Sequence, residues 1–197
     1  MKTAITIFSI LLLGACSDNT GSQLETSTPP TSPTESATST SVPYAEFNTT
    51  ITIRDVMNTF IDPSADALWQ AVRFEMDETG AHEIYPANDE EWEVLRKHAI
   101  TIIEGANALM IPGRHVAPPG STTDFPAYEY LPEEVEVKLV EDRVSWLVFA
   151  QGLQSSAISV MDAIAARDVI GLGETGGLVD EACENCHSQY WYRTESL

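Results

Sequence analysis

Residues 139–164 read LVEDRVSWLVFAQGLQSSAISVMDAI. Leu139, Arg143, Leu147, Ala150, Leu153, Ala157, Met161 and Ile164 recur there at three- and four-residue steps. That is the period of a helix burying one face, and a single charge, Arg143, interrupts the stripe. The spacing predicts one long helix that begins at Pro132-Glu133-Glu134 and runs to Ile164. Upstream, Trp92, Leu95, Ala99, Ile102, Ile103, Ala106, Leu109 and Met110 keep the same period. This helix has acids in its first turn, near Asn88 or Asp89, and its stop is at Pro112-Gly113. An earlier helix carries Ile53, Met57, Phe60, Ile61, Ala65, Leu68, Trp69 and Val72, and Pro63 is expected to kink or split it. The stretch from Gly171 to Gly177 reads as a break, with a last helix from about Leu178 to Trp191. Residues 112–131, rich in Pro, Gly, Ser and Thr, read as the longest loop. Alternation of the strand type is scarce. The expected fold is all-α: four helices, joined mostly by short turns, in an antiparallel up-down-up-down bundle.

Composition bounds the rest. The 197 residues hold 30 acidic and 10 basic side chains, a formal net charge of −20. Such a balance argues against nucleic-acid binding through a basic patch and would steer the protein toward basic surfaces. Length suits one ordinary domain, and an apolar share of 43% is too high for a wholly disordered chain.

The first 15 residues read as an address. Lys2 is a short positive region, and Ala4 to Leu13 is an apolar run too short to span a bilayer. Leu13-Gly14-Ala15-Cys16 resembles the bacterial lipobox. The resemblance implies cleavage before Cys16 and lipid attachment to it, hence an extracytoplasmic protein anchored to a membrane. Ser17, rather than an aspartate, follows the cysteine and favours the outer membrane. Residues 16–48 read as the lipidated cysteine and a disordered tether: from Ser17 to Pro43, 18 of 27 residues are Ser, Thr or Pro. Residues 49–197 are left as the folded domain.

Near the other end stands Cys183-Glu184-Asn185-Cys186-His187. C-x-x-C-H is the c-type haem attachment pattern. On a helix, thiols three residues apart share one face and can each bond one vinyl group of a single porphyrin, while the next residue offers iron an imidazole nitrogen. Covalent attachment of this kind happens outside the cytoplasm, where the leader points independently. A disulfide between the two cysteines would leave His187 unexplained. A thioredoxin-like pair should open a helix after a strand, and a four-cysteine zinc site lacks its second pair. The expected cofactor is one covalent haem c, with Cys183, Cys186 and His187 as attachment and axial residues.

Only ten residues follow His187, with no Met, His or Lys among them, so a sixth ligand must come from upstream. In an alternating bundle Met57, Met110 and, from the loop, His115 fall near His187. His98 lies about 18 Å off at 1.5 Å per residue, and Met161 belongs to the far end. With its haem motif on the last helix, the domain resembles the cytochrome c′ family, four-helix bundles of this design. Tyr190 matches that family's usual aromatic after the histidine. Trp191 departs from its usual basic residue, the nearest base being Arg193. Arg54 and Met57 resemble its early-helix arginine and distal-side residue, although their separation here is three rather than four. The resemblance covers roughly residues 50–197, and the 112–131 loop is a departure in length.

The resemblance implies an Arg54 that pairs with a haem propionate and a Met57 that either ligates iron or lines an open site. Phe60, Trp146 and Tyr190 are candidate pocket walls. With Met57 bound, the expected role is electron transfer to a redox partner with a basic surface. With the sixth site open, the expectation is a protein that captures nitric oxide or carbon monoxide. No nucleophile–base pair or polar distal cluster suggests an enzyme. Whether the chain forms a homodimer stays open.

Overall fold

The computed structural model describes residues 46–193. The leader, Cys16 and most of the proposed tether lie outside the described residues. Within them the protein is mostly helical. Helix α1 (Ile53–Val56) opens on Thr52, whose hydroxyl accepts the Asp55 N–H while the Asp55 carboxylate accepts the Thr52 N–H. This reciprocal cap holds the Asp55 carboxyl below its usual range, chiefly through the Thr52 N–H. A π-helical turn (Met57–Ile61) follows, then α2 (Asp62–Trp69). Pro63 explains the widening. Proline has no N–H to donate, and its ring crowds the carbonyl four residues back. The Asp62 N–H reaches instead to the Met57 oxygen, five residues back. The expected kink is therefore a π turn inside a continuous helical run.

A two-stranded antiparallel hairpin comes next, β1 (Arg73–Asp77) and β2 (Gly80–Ile84), with Phe74 opposite Glu83 and Met76 opposite Ala81. This small sheet is an addition to a mostly helical chain that otherwise fits the all-α expectation: Arg-Phe-Glu-Met-Asp does alternate in the strand manner, but Phe74 and Met76 both face solvent. Helix α3 (Asp89–Leu109) matches its expected span, with the Asn88 side chain accepting the Glu91 N–H at its start.

The expected single helix from 132 to 164 is two helices, α4 (Pro132–Glu141) and α5 (Arg143–Ala166). Asp142 leaves helical geometry at φ −128°, ψ 61°, and its carboxylate caps α5 by accepting the Ser145 N–H. Arg143, the charge in the apolar stripe, turns to the carbonyl of Met110. The predicted break at Gly171–Gly177 is absent, for α6 (Val169–Tyr190) runs through it. Glycines cost a helix about 1 kcal/mol each. Here small residues let α2 close on α6, where the Trp69 indole donates to the Gly176 oxygen at 3.0 Å. Between α5 and α6 the chain turns at Arg167, which takes the left-handed conformation at φ 55°.

Pairwise packing links α2 with α3 and α6, α3 with α5, and α5 with α6. Neighbours run in opposite directions. Arg167, at the end of α5, bonds Asp89 at the start of α3, and Arg143 bonds Met110 at the other end. His98 meets Ser64 while Gly105 lies against Ile61, so α2 and α3 oppose each other too. Val56, Ile102, Val160, Leu172 and Val179 are the largest wholly buried side chains and form the middle of the core.

Candidate functional site

Two cavities of about 390 Å³ each flank the carboxyl-terminal half of α6. They share Met57, Asn58, Cys186, His187 and Trp191 in their linings. Arg54, Thr122, Trp146 and Tyr190 belong to the first, and Cys183, Asp62, Trp69 and Phe149 to the second. Helix periodicity accounts for the joint exposure of the motif residues. Positions three and four apart share a face, so Cys183, Cys186, His187 and Tyr190 all turn toward α1, the π turn and α5.

Both cysteines are free, half-buried thiols. Burial pushes the Cys183 thiol up to about 11, with help from Asp180, Glu184 and Asp62, and the Cys186 thiol up to about 12, with Cys183 adding. Both are thus held as neutral thiols near pH 7. Burial also pulls His187 below its ordinary range, opposed by the Glu184 and Asp62 carboxylates, so its ring is favoured neutral. Among the described residues, His187 Nδ1 is the one buried side-chain nitrogen or oxygen with no hydrogen-bond partner. The nearest carboxylate oxygen, Glu184 Oε1, stands 3.7 Å away, beyond hydrogen-bond reach. An unsatisfied buried polar atom costs about 1–3 kcal/mol. The fold therefore leaves this imidazole unspent.

Aromatic rings surround it. Trp191 lies edge-on to His187 at 4.9 Å between centroids and stacks with Tyr192 at 6.1 Å. The backbone N–H groups of Trp191 and Tyr192 both donate to the His187 oxygen, which closes α6 at that residue. Tyr190 is buried and edge-on to both Trp146 and Phe149. Its hydroxyl donates to the Asp142 oxygen at 3.3 Å, and burial raises it to about 12. Trp146 in turn donates to the Leu109 oxygen at 2.9 Å.

The 112–131 loop is one wall of the first cavity. Its His115 and Val116 carbonyls accept the first two N–H groups of α1, from Ile53 and Arg54, both at 2.9 Å. Arg54 Nη2 donates to the Thr122 oxygen at 2.9 Å. From the other side, Tyr130 N–H donates to the Trp191 oxygen and Arg193 N–H to the Tyr128 oxygen, with Glu129 bridging Tyr192. Arg193 also bonds Glu134 and lies over the Tyr130 ring. Loop, first helix and last residues are thereby stitched around one space.

Of the residues singled out from sequence, Arg54, Met57, Trp146, Cys183, Cys186, His187 and Tyr190 line these cavities. Met110 and His115 line neither. His115 instead pairs with Glu136 at 2.6 Å on an exposed face, and Met110 packs beside the core. Phe60, a candidate wall, points outward and is absent from both linings. Sequence reasoning missed Asn58, Trp69, Phe149 and the Thr122–Asp124 stretch. Asn58 follows Met57 on the widened turn, and Phe149 lies on the same helix as Trp146, one turn on. Cys16, the proposed lipid site, lies outside the described residues.

A covalent c-type haem asks for two thiols on one helix face, an adjacent imidazole with a free ring nitrogen and neighbouring hollow space. Cys183, Cys186, His187 and the paired cavities meet those terms. No family model, curated protein or solved structure matches the chain.

Proposed function

We propose that this chain is an exported, membrane-tethered, mono-haem c-type cytochrome of the four-helix-bundle kind, and that it carries electrons. The observation that carries the reading is the unspent His187 ring beside two free thiols, all three facing hollow space opposite Met57. The antiparallel pairing of α2, α3, α5 and α6 supports the bundle, with the hairpin and α4 as additions to it.

Cys183 and Cys186 would hold the group by thioether bonds, each thiol adding across one vinyl double bond with its sulfur on one carbon and its proton on the other, a step that needs no oxidant. His187 offers iron a neutral ring nitrogen. Bound haem supplies a one-electron couple whose potential follows axial ligand, burial and hydrogen bonding. Met57, on the π turn, is the candidate sixth ligand. Widened turns of this type recur at functional sites, and the extra residue aims Met57 without breaking the helix. Arg54, at the rim beside Thr122, is the residue to pair with a propionate. Trp146, Phe149 and Tyr190 exclude water from one side. A net charge of −20 favours fast, salt-sensitive encounters with a partner of basic surface.

The test is the visible and magnetic-resonance spectrum of the haem-loaded mature chain, ferric and ferrous, with and without carbon monoxide. A low-spin ferric haem that resists the gas, and turns high-spin in Met57→Ala, supports the electron carrier. A high-spin haem that takes the gas readily, unchanged by Met57→Ala, would instead assign a gas-binding protein with an open sixth site. Absence of covalent haem would overturn both.

A further inference from the structure

Glu184 occupies the first variable position inside the C-x-x-C-H motif, three residues before His187. On a helix such a pair lies on one face, close enough for the side chains to meet. Glu184 Oε1 stands 3.7 Å from His187 Nδ1, the one buried side-chain polar atom without a partner among the described residues. The Glu184 side chain is 54% exposed, whereas that of His187 is 22% exposed. A half-exposed carboxylate on a three-bond stem can close the remaining distance by rotamer adjustment alone. The His187 ring is the more enclosed of the two, with Trp191 edge-on at 4.9 Å.

We propose that Glu184 is a positioning residue for the axial histidine: its carboxylate accepts the Nδ1–H of His187 when the other ring nitrogen holds iron. The inference rests on the haem reading above. It goes further in naming what sets that ligand's basicity. A metal-bound imidazole almost always donates its second N–H to a carboxylate, a carbonyl or water, which fixes tautomer and ring rotation and makes the ligating nitrogen a stronger donor. The His187 carbonyl itself is already taken by two N–H groups, from Trp191 and Tyr192. Of the two carboxylates that act on the ring, Glu184 and Asp62, only Glu184 forms a close pair with it. A carboxylate partner would give the imidazole anionic character and so would favour ferric over ferrous iron.

The experiment compares Glu184→Gln with Glu181→Gln in the haem-loaded chain. Glu181 is an exposed acid on the same helix that lines neither cavity. Each variant removes one negative charge, but only the first removes the hydrogen-bonded carboxylate. Two readouts are independent of electron-transfer activity: the midpoint potential and the iron–histidine stretching frequency of the ferrous protein. Outer-shell partners of metal ligands typically carry 10–100-fold effects. For a half-exposed group the lower end applies, about tenfold in the reduction equilibrium, or about 59 mV upward for one electron. The stretch should fall in Glu184→Gln and stay in place in Glu181→Gln. Equal potential shifts in both variants, with the stretch unmoved, would reduce Glu184 to a general surface charge and overturn the proposal, while leaving the haem reading intact. A chain that takes no haem would overturn both together.

Discussion

Gly105 lies toward the carboxyl-terminal end of α3, where that helix meets the π turn, and replacing it by alanine sets two effects against each other. A Cβ there would stand 2.8 Å from Ile61 Cγ1 and 3.3 Å from Ile61 Cδ1. Carbon atoms in ordinary contact are about 3.5–4.0 Å apart, so the inner atom of a buried, β-branched side chain must give way. Overpacking of this kind costs about 1–3 kcal/mol. Against it, alanine gains about 1 kcal/mol over glycine in a helix interior. The overlap wins, and Gly105→Ala should be destabilised by about 1 kcal/mol. Gly152 provides the control: it is exposed, mid-helix in α5, and a Cβ there meets nothing within 4 Å. Gly152→Ala should therefore gain up to about 1 kcal/mol. The two variants should differ by about 2 kcal/mol, and with a urea slope of about 2 kcal/mol/M their midpoints should lie about 1 M apart. The assay is urea unfolding, both variants at unchanged slope. Equal stabilisation of the two would refute the close approach of α3 to the π turn. Because Ile61 ends the turn that begins at Met57, a haem held as proposed would also show a shifted spectrum in Gly105→Ala and not in Gly152→Ala.

Other perturbations read other parts of the structure. Trp146→Phe removes the indole donor to the buried Leu109 carbonyl, and urea unfolding should show a loss of about 1–3 kcal/mol. Asp168→Ala removes the carboxylate that accepts the Gly171 N–H at the start of α6, a cap worth about 1 kcal/mol by the same measurement. The Glu134 carboxyl is held below its ordinary 4.5, first by the Leu131 N–H and also by Arg193. A depressed folded value means a contribution that is complete above 4.5 and lost as pH falls through the folded value. Titrating stability from neutral pH downward should thus show a shallower acid limb in Glu134→Gln than in the native chain, and an unchanged limb would remove Glu134 from that role.

Much of this architecture was legible as period. Trp92 through Leu109 give a clean 3.6-residue pattern with acids in front and Pro-Gly behind, and α3 follows it. The motif cysteines and His187 were equally plain, since their spacing alone carries the chemistry. Other features were hidden by competing physics. Glycines at 171, 173, 176 and 177 lower intrinsic helix propensity, yet burial of Leu172 and Val179 and the close contact with Trp69 keep α6 helical. The stripe from Leu139 to Ile164 kept its period across Asp142, so periodicity could not reveal the break. A capping signal was present there, an aspartate three residues before Ser145, and so was the charge of Arg143 in the stripe, but the period kept on either side outweighed both. Met57 was placed by bundle topology as well as by a family resemblance, and Arg54 by the resemblance; the cavity linings put both beside the α6 motif. Asn58, Phe149 and the loop's role as a wall depend on packing between distant segments, which a linear pattern does not encode.

The widened turn at Met57–Ile61 can also be understood as a phase shift. An α-helix advances about 100° per residue, so one extra residue in a turn rotates everything before it against everything after it by roughly that angle. The stretch bearing Arg54 and the stretch bearing Leu68 then act as two wheels on one axle, set at different angles. Deleting one residue between 58 and 60 would take out that offset while Pro63 still withholds its N–H, and would leave Ala65 and Leu68 in the core. It would also swing Arg54 off the first cavity and unseat the bonds to His115 and Val116. At this point in the chain, helix phase and cavity lining are one variable: the helix can stay folded there while Arg54 no longer reaches the cavity.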